Sequence, residues 1–252
     1  MEKGLVSIIT PIYNGARYVS ETIQSVLNQS FSNWEMIIID DGSIDNSCEI
    51  IDRFIHKEPK IRLFSQKNAG SASARNNGIK RARGQFICLL DADDVWEPEF
   101  LTSQLRFMHV NSAVLVCSSH RRINENSIEI LKPFIAPFKA SYSDLLKTCS
   151  ISCLTGVYDI EPYGKVYLKE EFKSLRDDYI YWLEIIKKIK FVYGNPDILA
   201  SYRMLDNSAT RKKSKLIIPQ FKVFYSVEKL GILRSIYYLA SWATFGFLKY
   251  RK

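Results

Sequence analysis

The sequence contains no apolar run of the length, about 18 residues, that a membrane-spanning helix requires. Glycine and proline are scarce, at 11 and 8 of 252 residues, and there is no internal repeat or low-complexity segment. This composition excludes collagen-like and disordered chains and favours a packed α/β protein. The start of the chain has none of the features of a secretory signal peptide, because Met1-Glu2-Lys3-Gly4 leads directly into an apolar run.

Histidine and cysteine are also few, with three and five residues, and none of them shows the spacing of a zinc site. The odd number of cysteines and the apolar surroundings of Cys48, Cys88 and Cys117 predict reduced, buried thiols in a cytosolic protein. Cys149 and Cys153 likewise lack metal-ligand partners nearby in the sequence. The formal net charge of +8 allows nucleic acid, an anionic membrane surface or anionic substrates as partners.

Apolar runs alternate with helical patterns through the first hundred residues. The runs at 5–11, 34–41, 61–64 and 86–90 predict strands, and amphipathic segments between them predict helices. Uninterrupted apolar runs are typical of strands that are buried on both faces. The sequence therefore predicts a mostly parallel sheet with helices on both faces.

The pattern changes after Trp96. We predict a helix at 98–110, a strand at 114–117 and a loop or hairpin at 118–140, followed by a short helix at 141–148 and a strand at 154–158. Residues 159–175 look irregular, and Asp177 opens a helix that runs to Lys190. Late strands are predicted at 191–193 and 198–203, and from Lys212 the chain looks helical, basic and aromatic.

Two of the predicted strands end in acidic residues. Asp40 and Asp41 follow the second strand, and Asp91, Asp93 and Asp94 follow the fourth. Three acids in four residues repel one another and need a cation or protons to coexist, and clustered carboxylates suit Mg²⁺ or Mn²⁺. In open α/β sheets the ligand lies at the carboxyl ends of the strands. A solvated acidic turn that caps the next helix is the alternative.

The motifs, taken together, resemble those of family 2 inverting glycosyltransferases with the GT-A fold. The matching segments are Val6-Ser7-Ile8-Ile9-Thr10-Pro11-Ile12-Tyr13-Asn14, Asp40-Asp41-Gly42-Ser43, Asn68-Ala69-Gly70, Ala74-Arg75-Asn76 and Asp91-Ala92-Asp93-Asp94. The segments keep the family's order and approximate spacing. Later segments, Asp177-Asp178 with Trp182-Leu183 and Tyr202-Arg203 with Ser208, match more loosely. The resemblance covers roughly residues 1–210.

The resemblance implies a division of the chain and a set of site residues. A catalytic domain would occupy 1–210, with a nucleotide-sugar half at 1–97 and an acceptor half at 98–210, and a helical tail would occupy 211–252. The resemblance implies that Pro11 and Tyr13 line the uracil, that Asp40 and Asp41 bind the base, and that Arg75 lies against the nucleotide. It also implies that Asp91 lies near the sugar and that Asp93 binds the Mn²⁺ or Mg²⁺ ion.

On the acceptor side, the resemblance makes Asp178 the general base and Asp177 its neighbour. A base on the face opposite the leaving diphosphate inverts the anomeric centre. The family often has a histidine where this chain has Leu205, so a phosphate contact is expected from Arg203 or Arg211 instead. A simple N-cap role for Asp177 is the alternative.

The tail and the acceptor are expectations of the same kind. The segment from Leu230 to Leu248 is aromatic and apolar, and Lys249-Tyr250-Arg251-Lys252 ends the chain. This composition suits a helix lying on the cytoplasmic face of the bacterial inner membrane, and a helix packed back on the domain is the alternative. The chain resembles family members of this size that build O-antigen, capsule or teichuronic acid. This resemblance implies that it transfers galactose or glucose from a UDP-sugar to an N-acetylhexosamine linked to undecaprenyl diphosphate.

The alternatives to a transferase are a sugar-nucleotide pyrophosphorylase, a phosphatase with an aspartyl nucleophile and a nucleic-acid-binding module. The phosphatase would need two acids, two residues apart, at the end of the first strand, and the sequence has none there. A sugar-nucleotide pyrophosphorylase needs a Gly-rich, Arg-containing loop after the first strand, and Pro11-Ile12-Tyr13-Asn14-Gly15 does not provide one. A nucleic-acid-binding module needs cations clustered with exposed aromatic residues on a recognition element. The excess of basic residues instead lies at 187–190 and in the tail, so nucleic acid is not an expected partner.

Overall fold

A computed structural model describes residues 1–172, 176–205 and 216–249. The strands are β1 (Glu2–Ile12), β2 (Trp34–Asp40), β3 (Ile61–Ser65), β4 (Gly84–Leu89), β5 (Val95–Trp96), β6 (Leu115–Ile123), β7 (Glu129–Phe134), β8 (Lys139–Ser141), β9 (Val157–Asp159) and β10 (Phe191–Arg203). The α-helices are α1 (Val19–Leu27), α2 (Ser47–Ile55), α3 (Ser71–Arg81), α4 (Phe100–Val110), α5 (Tyr142–Lys147), α6 (Asp177–Lys188), α7 (Ile217–Lys222) and α8 (Ile232–Lys249). Short 3₁₀ turns cover Cys153–Thr155 and Glu170–Phe172, and a π turn covers Val223–Val227.

One mixed sheet of ten strands runs through the molecule in the order β3-β2-β1-β4-β9-β6-β10-β5, with β7 on β6 and β8 on β10. The N-terminal part, β3-β2-β1-β4, is parallel, as the apolar runs predicted. Alternate residues of each strand face opposite layers. Ile8 packs in the layer of α1, α2 and α4, whereas its neighbour Ile9 packs in the layer of α3, α5 and α6.

The prediction of a mostly parallel sheet is wrong for the second half. Of the strand pairings described, those of β1 with β2 and β4, of β2 with β3 and of β6 with β10 are parallel. The other five are antiparallel, because short strands such as β9 and β5 enter the sheet without the helical crossover that a parallel neighbour requires. Strands from both predicted halves of the domain therefore belong to one sheet.

Several predicted boundaries in the second half also differ from the structure. The strand predicted at 114–117 extends to Ile123 and pairs with β7, so part of 118–140 is a hairpin. The two late strands are one, β10, with an irregular register between Asn195 and Ile198 that concealed its continuity in the sequence. Helix α6 ends at Lys188, two residues before the predicted end.

The tail folds back on the domain through one face of α8. Tyr238 and Leu239 pack against the core, and the π turn before α8 is held by Glu228, which accepts hydrogen bonds from the Tyr142 hydroxyl and, at 2.9 Å, from Lys187 Nζ. The opposite face is exposed and apolar, with Ile232, Leu233, Ile236 and Tyr237. Within the described residues, no helix combines the length and the apolarity that are needed to cross a membrane. The predicted boundary at 210 lies outside the described residues.

Candidate active site

The loops after β1 and β2 are tied together at the carboxyl edge of the sheet. The backbone amide of Asn14 donates to Ser43 Oγ at 2.9 Å, and Asn14 Oδ1 accepts from the Ile44 amide at 2.9 Å. Asn14 adopts a left-handed conformation with φ of 51°, which asparagine tolerates better than most residues. These bonds leave the Tyr13 side chain 53% exposed above the loop, free to pack on a planar ligand.

Asp40 and Asp41 are both buried, and their carboxylates accept hydrogen bonds from different loops. Asp40 Oδ1 accepts a hydrogen bond from the Ser43 amide at 3.0 Å. The oxygens of Asp41 accept from Gln66 Nε2 at 2.8 Å and from the amides of Ala69 and Gly70 at 2.9 and 2.8 Å. Both oxygens of Asp41 are therefore engaged by the protein, and this residue positions the loop that enters α3.

The acids of the turn after β4, which we call the acidic turn (Asp91, Asp93 and Asp94), are distinguished by their surroundings. Asp91 Oδ1 accepts from Arg75 Nη2 at 2.5 Å. Asp94 is 1% exposed, and its Oδ1 accepts from the Arg203 amide at 2.8 Å while its Oδ2 has no partner. Burial and the neighbouring acids Asp93 and Asp91 raise the pKa of Asp94 well above its usual range. Burial thus favours the neutral form of Asp94, and this residue supports the turn.

The Asp93 carboxyl group, unlike those of Asp91 and Asp94, is not held by an arginine side chain or backbone amide of another described residue. No ion pair or side-chain hydrogen bond to its carboxyl group is formed by the residues the structure describes. Burial and the nearby charge of Asp91 raise the pKa of Asp93 to about 6, although Arg203 and Arg75 counteract the shift. A carboxylate in these surroundings is stabilised by a further positive charge.

Arg203 is buried, and its guanidinium group supports the acidic turn through a hydrogen bond to the backbone. Its Nε donates to the Asp93 backbone carbonyl at 2.7 Å, its Nη1 donates to Ser127 Oγ at 2.9 Å, and its Nη2 donates to Glu21 Oε2 at 2.5 Å. With a side-chain exposure of 0% and its donors used, Arg203 supports the turn instead of offering itself to a phosphate. The expectation of a phosphate contact from Arg203 is therefore wrong for this arrangement. Arg211 and Ser208 lie outside the described residues.

Arg75 joins the acidic turn to the first turn of α6. Its Nη2 pairs with Asp91 at 2.5 Å, and its Nη1 pairs with Asp177 Oδ2 at 2.8 Å, an oxygen that also accepts from Ser71 Oγ at 3.0 Å. Burial raises the pKa of Asp177, and the Arg75 charge opposes this shift. Asp177 is thus a buried anchor, while a contact between Arg75 and a nucleotide stays a prediction.

Asp178 is half-buried beside this anchor and remains reachable. One oxygen, Oδ1, accepts from the Tyr179 backbone amide at 2.7 Å, and Oδ2 is not used in that bond. Asp178 lies in the first turn of α6, at the positive end of the helix dipole. The two predicted acids of α6 therefore differ in their surroundings: Asp177 is buried and paired with Arg75, whereas Asp178 is partly exposed.

Asn76 is a supporting residue whose role the sequence did not reveal. Its Oδ1 accepts from the Leu168 amide at 2.8 Å and its Nδ2 donates to the Leu168 carbonyl at 2.9 Å, so it pairs with the backbone as a strand would. This bond holds the segment that leads into α6 against α3. The available signal was an amide side chain on the buried face of α3, directly after Arg75.

All five cysteines are free thiols, as their number predicted. Cys88, Cys117 and Cys153 are buried, whereas Cys48 and Cys149 are half-buried. Burial and the neighbouring Asp40 carboxylate raise the pKa of Cys48 to about 11. The thiol of Cys48 is thus protonated at neutral pH and is a poor nucleophile.

Residues 7–176 match the family model described as Glycosyl transferase family 2. The chain belongs to that family. The segment matched includes the β1 and β2 loops, the acidic turn and Arg75, so the resemblance drawn from these motifs is confirmed. The pyrophosphorylase and nucleic-acid-binding alternatives are set aside by this membership.

Curated family 2 relatives extend over nearly the whole chain. TuaG of Bacillus subtilis, named as a teichuronic acid biosynthesis glycosyltransferase, is 34% identical over 251 residues, 99% of this chain and 96% of TuaG. WfgD of Escherichia coli, named UDP-Glc:alpha-D-GlcNAc-diphosphoundecaprenol beta-1,3-glucosyltransferase, is 35% identical over 255 residues, 99% of this chain and 96% of WfgD.

Solved structures share the fold at lower sequence identity. TarS residues 1–349 of S. aureus in complex with UDP-GlcNAc superpose with a TM-score of 0.69 at 18% identity, over 86% of this chain and 65% of that longer chain. A mannosyltransferase from Pyrobaculum calidifontis in complex with GDP-Man and Mn²⁺ gives a TM-score of 0.65 at 17% identity, over 93% of this chain and 69% of that chain. The mixed α/β fold is thus of the GT-A type.

The acidic turn fits a divalent cation bound partly by substrate. Among the described residues, no group of three or more His, Cys, Asp or Glu side chains forms a closed metal site. Mg²⁺ typically takes one or two carboxylates from the protein and completes its shell with substrate phosphates and water. Asp93, whose carboxyl group is not held by any described arginine side chain, is the residue suited to such an ion.

Proposed function

We propose that this family 2 member is an inverting, metal-dependent glycosyltransferase. It moves a hexose, glucose or galactose, from a UDP-sugar to an N-acetylhexosamine on undecaprenyl diphosphate in bacterial surface-polysaccharide synthesis. The names of WfgD and of WfaP, which is 31% identical over 227 residues, support the donor and acceptor classes. TuaG, named for teichuronic acid, supports the place in polysaccharide synthesis.

The observation that carries the proposal is the Arg75 bridge between the acidic turn and α6. Asp91 and Asp177 bind the same guanidinium at 2.5 and 2.8 Å, so the proposed donor-side acids and the first turn of α6 face each other across one side chain. A transferase needs this proximity, because the diphosphate must leave on one side of the sugar while the acceptor hydroxyl attacks from the other.

The donor is held by the loops at the carboxyl edge of the sheet. Tyr13 packs on the uracil beside Pro11, and the Asp40 carboxylate accepts from the base. Asp93 holds the Mn²⁺ or Mg²⁺ ion, with Asp91 near the sugar. When bound, the ion supplies positive charge to the leaving diphosphate.

Asp178 acts on the acceptor. Its Oδ2 takes the proton of the acceptor hydroxyl as that oxygen forms a bond to the anomeric carbon. The bond from the anomeric carbon to the diphosphate oxygen breaks, and its electron pair leaves with UDP. Because attack and departure occur on opposite faces, the anomeric configuration inverts, as in other single-displacement transfers at a sugar carbon.

The exposed face of α8 supports the proposal that the protein works at a membrane surface. Ile232, Leu233, Ile236 and Tyr237 form an apolar strip, and the exposed cations Lys229 and Arg234 flank it. An apolar strip with cations suits the interface of an anionic bilayer. A peripheral protein on the cytoplasmic face of the inner membrane meets a lipid-linked acceptor there.

A panel of UDP-sugars tested on a synthetic N-acetylglucosaminyl diphosphate lipid, with the product linkage determined by NMR, tests the proposal. We expect UDP-glucose or UDP-galactose to give a product of inverted anomeric configuration. A product that retains the donor configuration, or transfer only from a nucleotide other than uridine, would contradict it.

A further inference from the structure

The polar groups behind the first turn of α6 include several that lack hydrogen-bond partners. Nε and Nη2 of Arg176 are buried and unpaired, and the amide of Gln220, a residue with 0% exposure, has no partner beyond the Tyr179 hydroxyl among the described residues. The two side chains lie against the same ring, with the Arg176 guanidinium 4.6 Å from the Tyr179 centroid and the Gln220 amide beside the Tyr179 hydroxyl. Buried polar groups without partners are costly, and an unpaired cation above all.

None of the acids near this cluster forms an ion pair with Arg176 in the described part of the chain. Asp177 binds Arg75 and Ser71, and the Asp178 carboxylate accepts from the Tyr179 amide. Glu228 on the tail side accepts from Tyr142 and Lys187. The described part of the chain therefore supplies no carboxylate to Arg176, and an anion from outside the protein would satisfy it.

Arg176 lies between the proposed base and the proposed membrane face. It precedes Asp178 by two residues, so their Cα atoms are at most about 7.6 Å apart. Its guanidinium carbon is also 5.4 Å from the ring of Trp242 on α8, the helix whose outer face is apolar. An acceptor sugar whose hydroxyl meets Asp178 carries its diphosphate on the anomeric carbon, at the other side of the sugar ring. The lipid chain continues from that diphosphate toward the membrane.

We propose that Arg176 and Gln220 form the binding site for the diphosphate of the lipid-linked acceptor. This inference rests on the proposed function for the class of acceptor. Arginine is suited to the role because its planar guanidinium binds phosphate oxygens through two parallel bonds. The half-buried Arg176 side chain keeps some exposure for this contact, and the Gln220 amide completes the site from the buried side.

The test is calorimetric binding of octyl diphosphate to the full chain saturated with UDP and Mn²⁺, so that the donor's diphosphate position is already filled. We expect the wild type to bind, and Arg176→Gln to weaken binding by about 10- to 100-fold, the range for a hydrogen-bonded charge. Arg106→Gln, which removes an exposed cation on α4, is the matched control and should bind as the wild type does. Wild-type protein that fails to bind, or equal binding by Arg176→Gln, would overturn the inference.

Gln220→Leu separates a ligand-binding role from a structural one. If the amide serves a ligand, Gln220→Leu raises the melting temperature, because it removes a buried amide that is incompletely paired in the free protein. It also weakens octyl diphosphate binding. A lower melting temperature with unchanged binding would show that Gln220 only supports the fold, and would contradict its assignment.

A parallel transfer assay keeps this inference distinct from the proposed function. Arg176-dependent binding of octyl diphosphate without transfer to the N-acetylglucosaminyl diphosphate lipid would refute the proposed acceptor and retain the diphosphate site. Transfer whose acceptor KM is the same in Arg176→Gln and wild type would refute the diphosphate site and retain the function.

Discussion

Arg75 Nη1 lies 2.8 Å from Asp177 Oδ2, and the two side chains are 7% and 4% exposed. The residues are 102 positions apart in the sequence, and the same guanidinium also pairs with Asp91 at 2.5 Å. One buried cation thus sets the position of the first turn of α6, and with it Asp178, relative to the acidic turn.

We predict that Arg75→Gln destabilises the protein by about 3–5 kcal/mol, the usual cost of removing one partner of a buried ion pair. The loss reflects mainly the Asp177 carboxylate that remains buried without its cation. Combining Arg75→Gln with Asp177→Asn should recover part of it, and urea unfolding of the four proteins measures the interaction. Strictly additive losses would contradict the bridge.

The sequence predicted the parallel half of the sheet because each strand there is an apolar run with local periodicity. It predicted a strand at 154–158 but not where that strand pairs: β9 covers only Val157–Asp159, and it runs antiparallel between β4 and β6. Mixed topology in the second half therefore depends on tertiary pairing that no local pattern contains.

The same limit applies to the site. Motifs pointed to Asp93 and Asp178, but the roles of Asp41, Asp94 and Arg203 depend on distant partners. Arg203 bonds to Glu21, 182 positions away, and this bond leaves no trace in either local sequence. Residue types predicted the chemistry, whereas burial and long-range hydrogen bonds decide which acids support the fold and which remain available.

Metal dependence is expected to reside in Asp93 and not in Asp94. Excess chelator should abolish transfer, Mn²⁺ or Mg²⁺ should restore it, and Asp93→Ala should lower turnover at least about 10²-fold. Asp94→Asn is the matched control: burial favours the neutral form of Asp94, and an asparagine Oδ1 can still accept from the Arg203 amide, so activity should stay within a few-fold. Full transfer in chelator, or equal losses in both variants, would refute the assignment.

Glu35 is predicted to make folding sensitive to acid. Burial raises the pKa of Glu35, but hydrogen bonds from the Arg83 amide, Ser7 and the Arg83 guanidinium, with the Arg62 charge, outweigh it and hold the pKa below the usual 4.5. The stabilisation is therefore complete above that value and is lost as pH falls through the lower folded-state pKa.

Glu35→Gln should cost about 1.5–3 kcal/mol at pH 7, the range for hydrogen bonds to a charged group. The difference from wild type should shrink in acid, below the ordinary glutamate pKa, as measured by urea unfolding across pH. Glu161→Gln, which affects an exposed ion pair with Lys3 at 3.3 Å and an exposed hydrogen bond from Gln85 at 3.2 Å, should change stability little at either pH. A pH-independent loss in Glu35→Gln would argue for packing alone.

Membrane attachment is best tested on the outer face of α8, because truncation would also remove Tyr238 and Leu239 from the core. Leu233→Glu with Ile236→Glu should release the protein from anionic vesicles while leaving its melting temperature near that of the wild type, since both residues are exposed. High salt should weaken attachment of the wild type. Unchanged vesicle binding by the double variant would show that this face does not contact the bilayer.

Asp178→Asn tests the base, with Asp177→Asn as its neighbour control. Asparagine keeps the shape and can still accept from the Tyr179 amide, but it cannot take up the acceptor's proton. We expect turnover to fall about 10²- to 10⁴-fold while UDP affinity stays unchanged, because the donor is bound by the loops of the first hundred residues. Asp177→Asn should lower stability more than turnover, since it weakens the Arg75 pair. Near-normal turnover in Asp178→Asn with a dead Asp177→Asn would reverse the two roles, and loss of UDP binding in Asp178→Asn would assign that residue to the donor site.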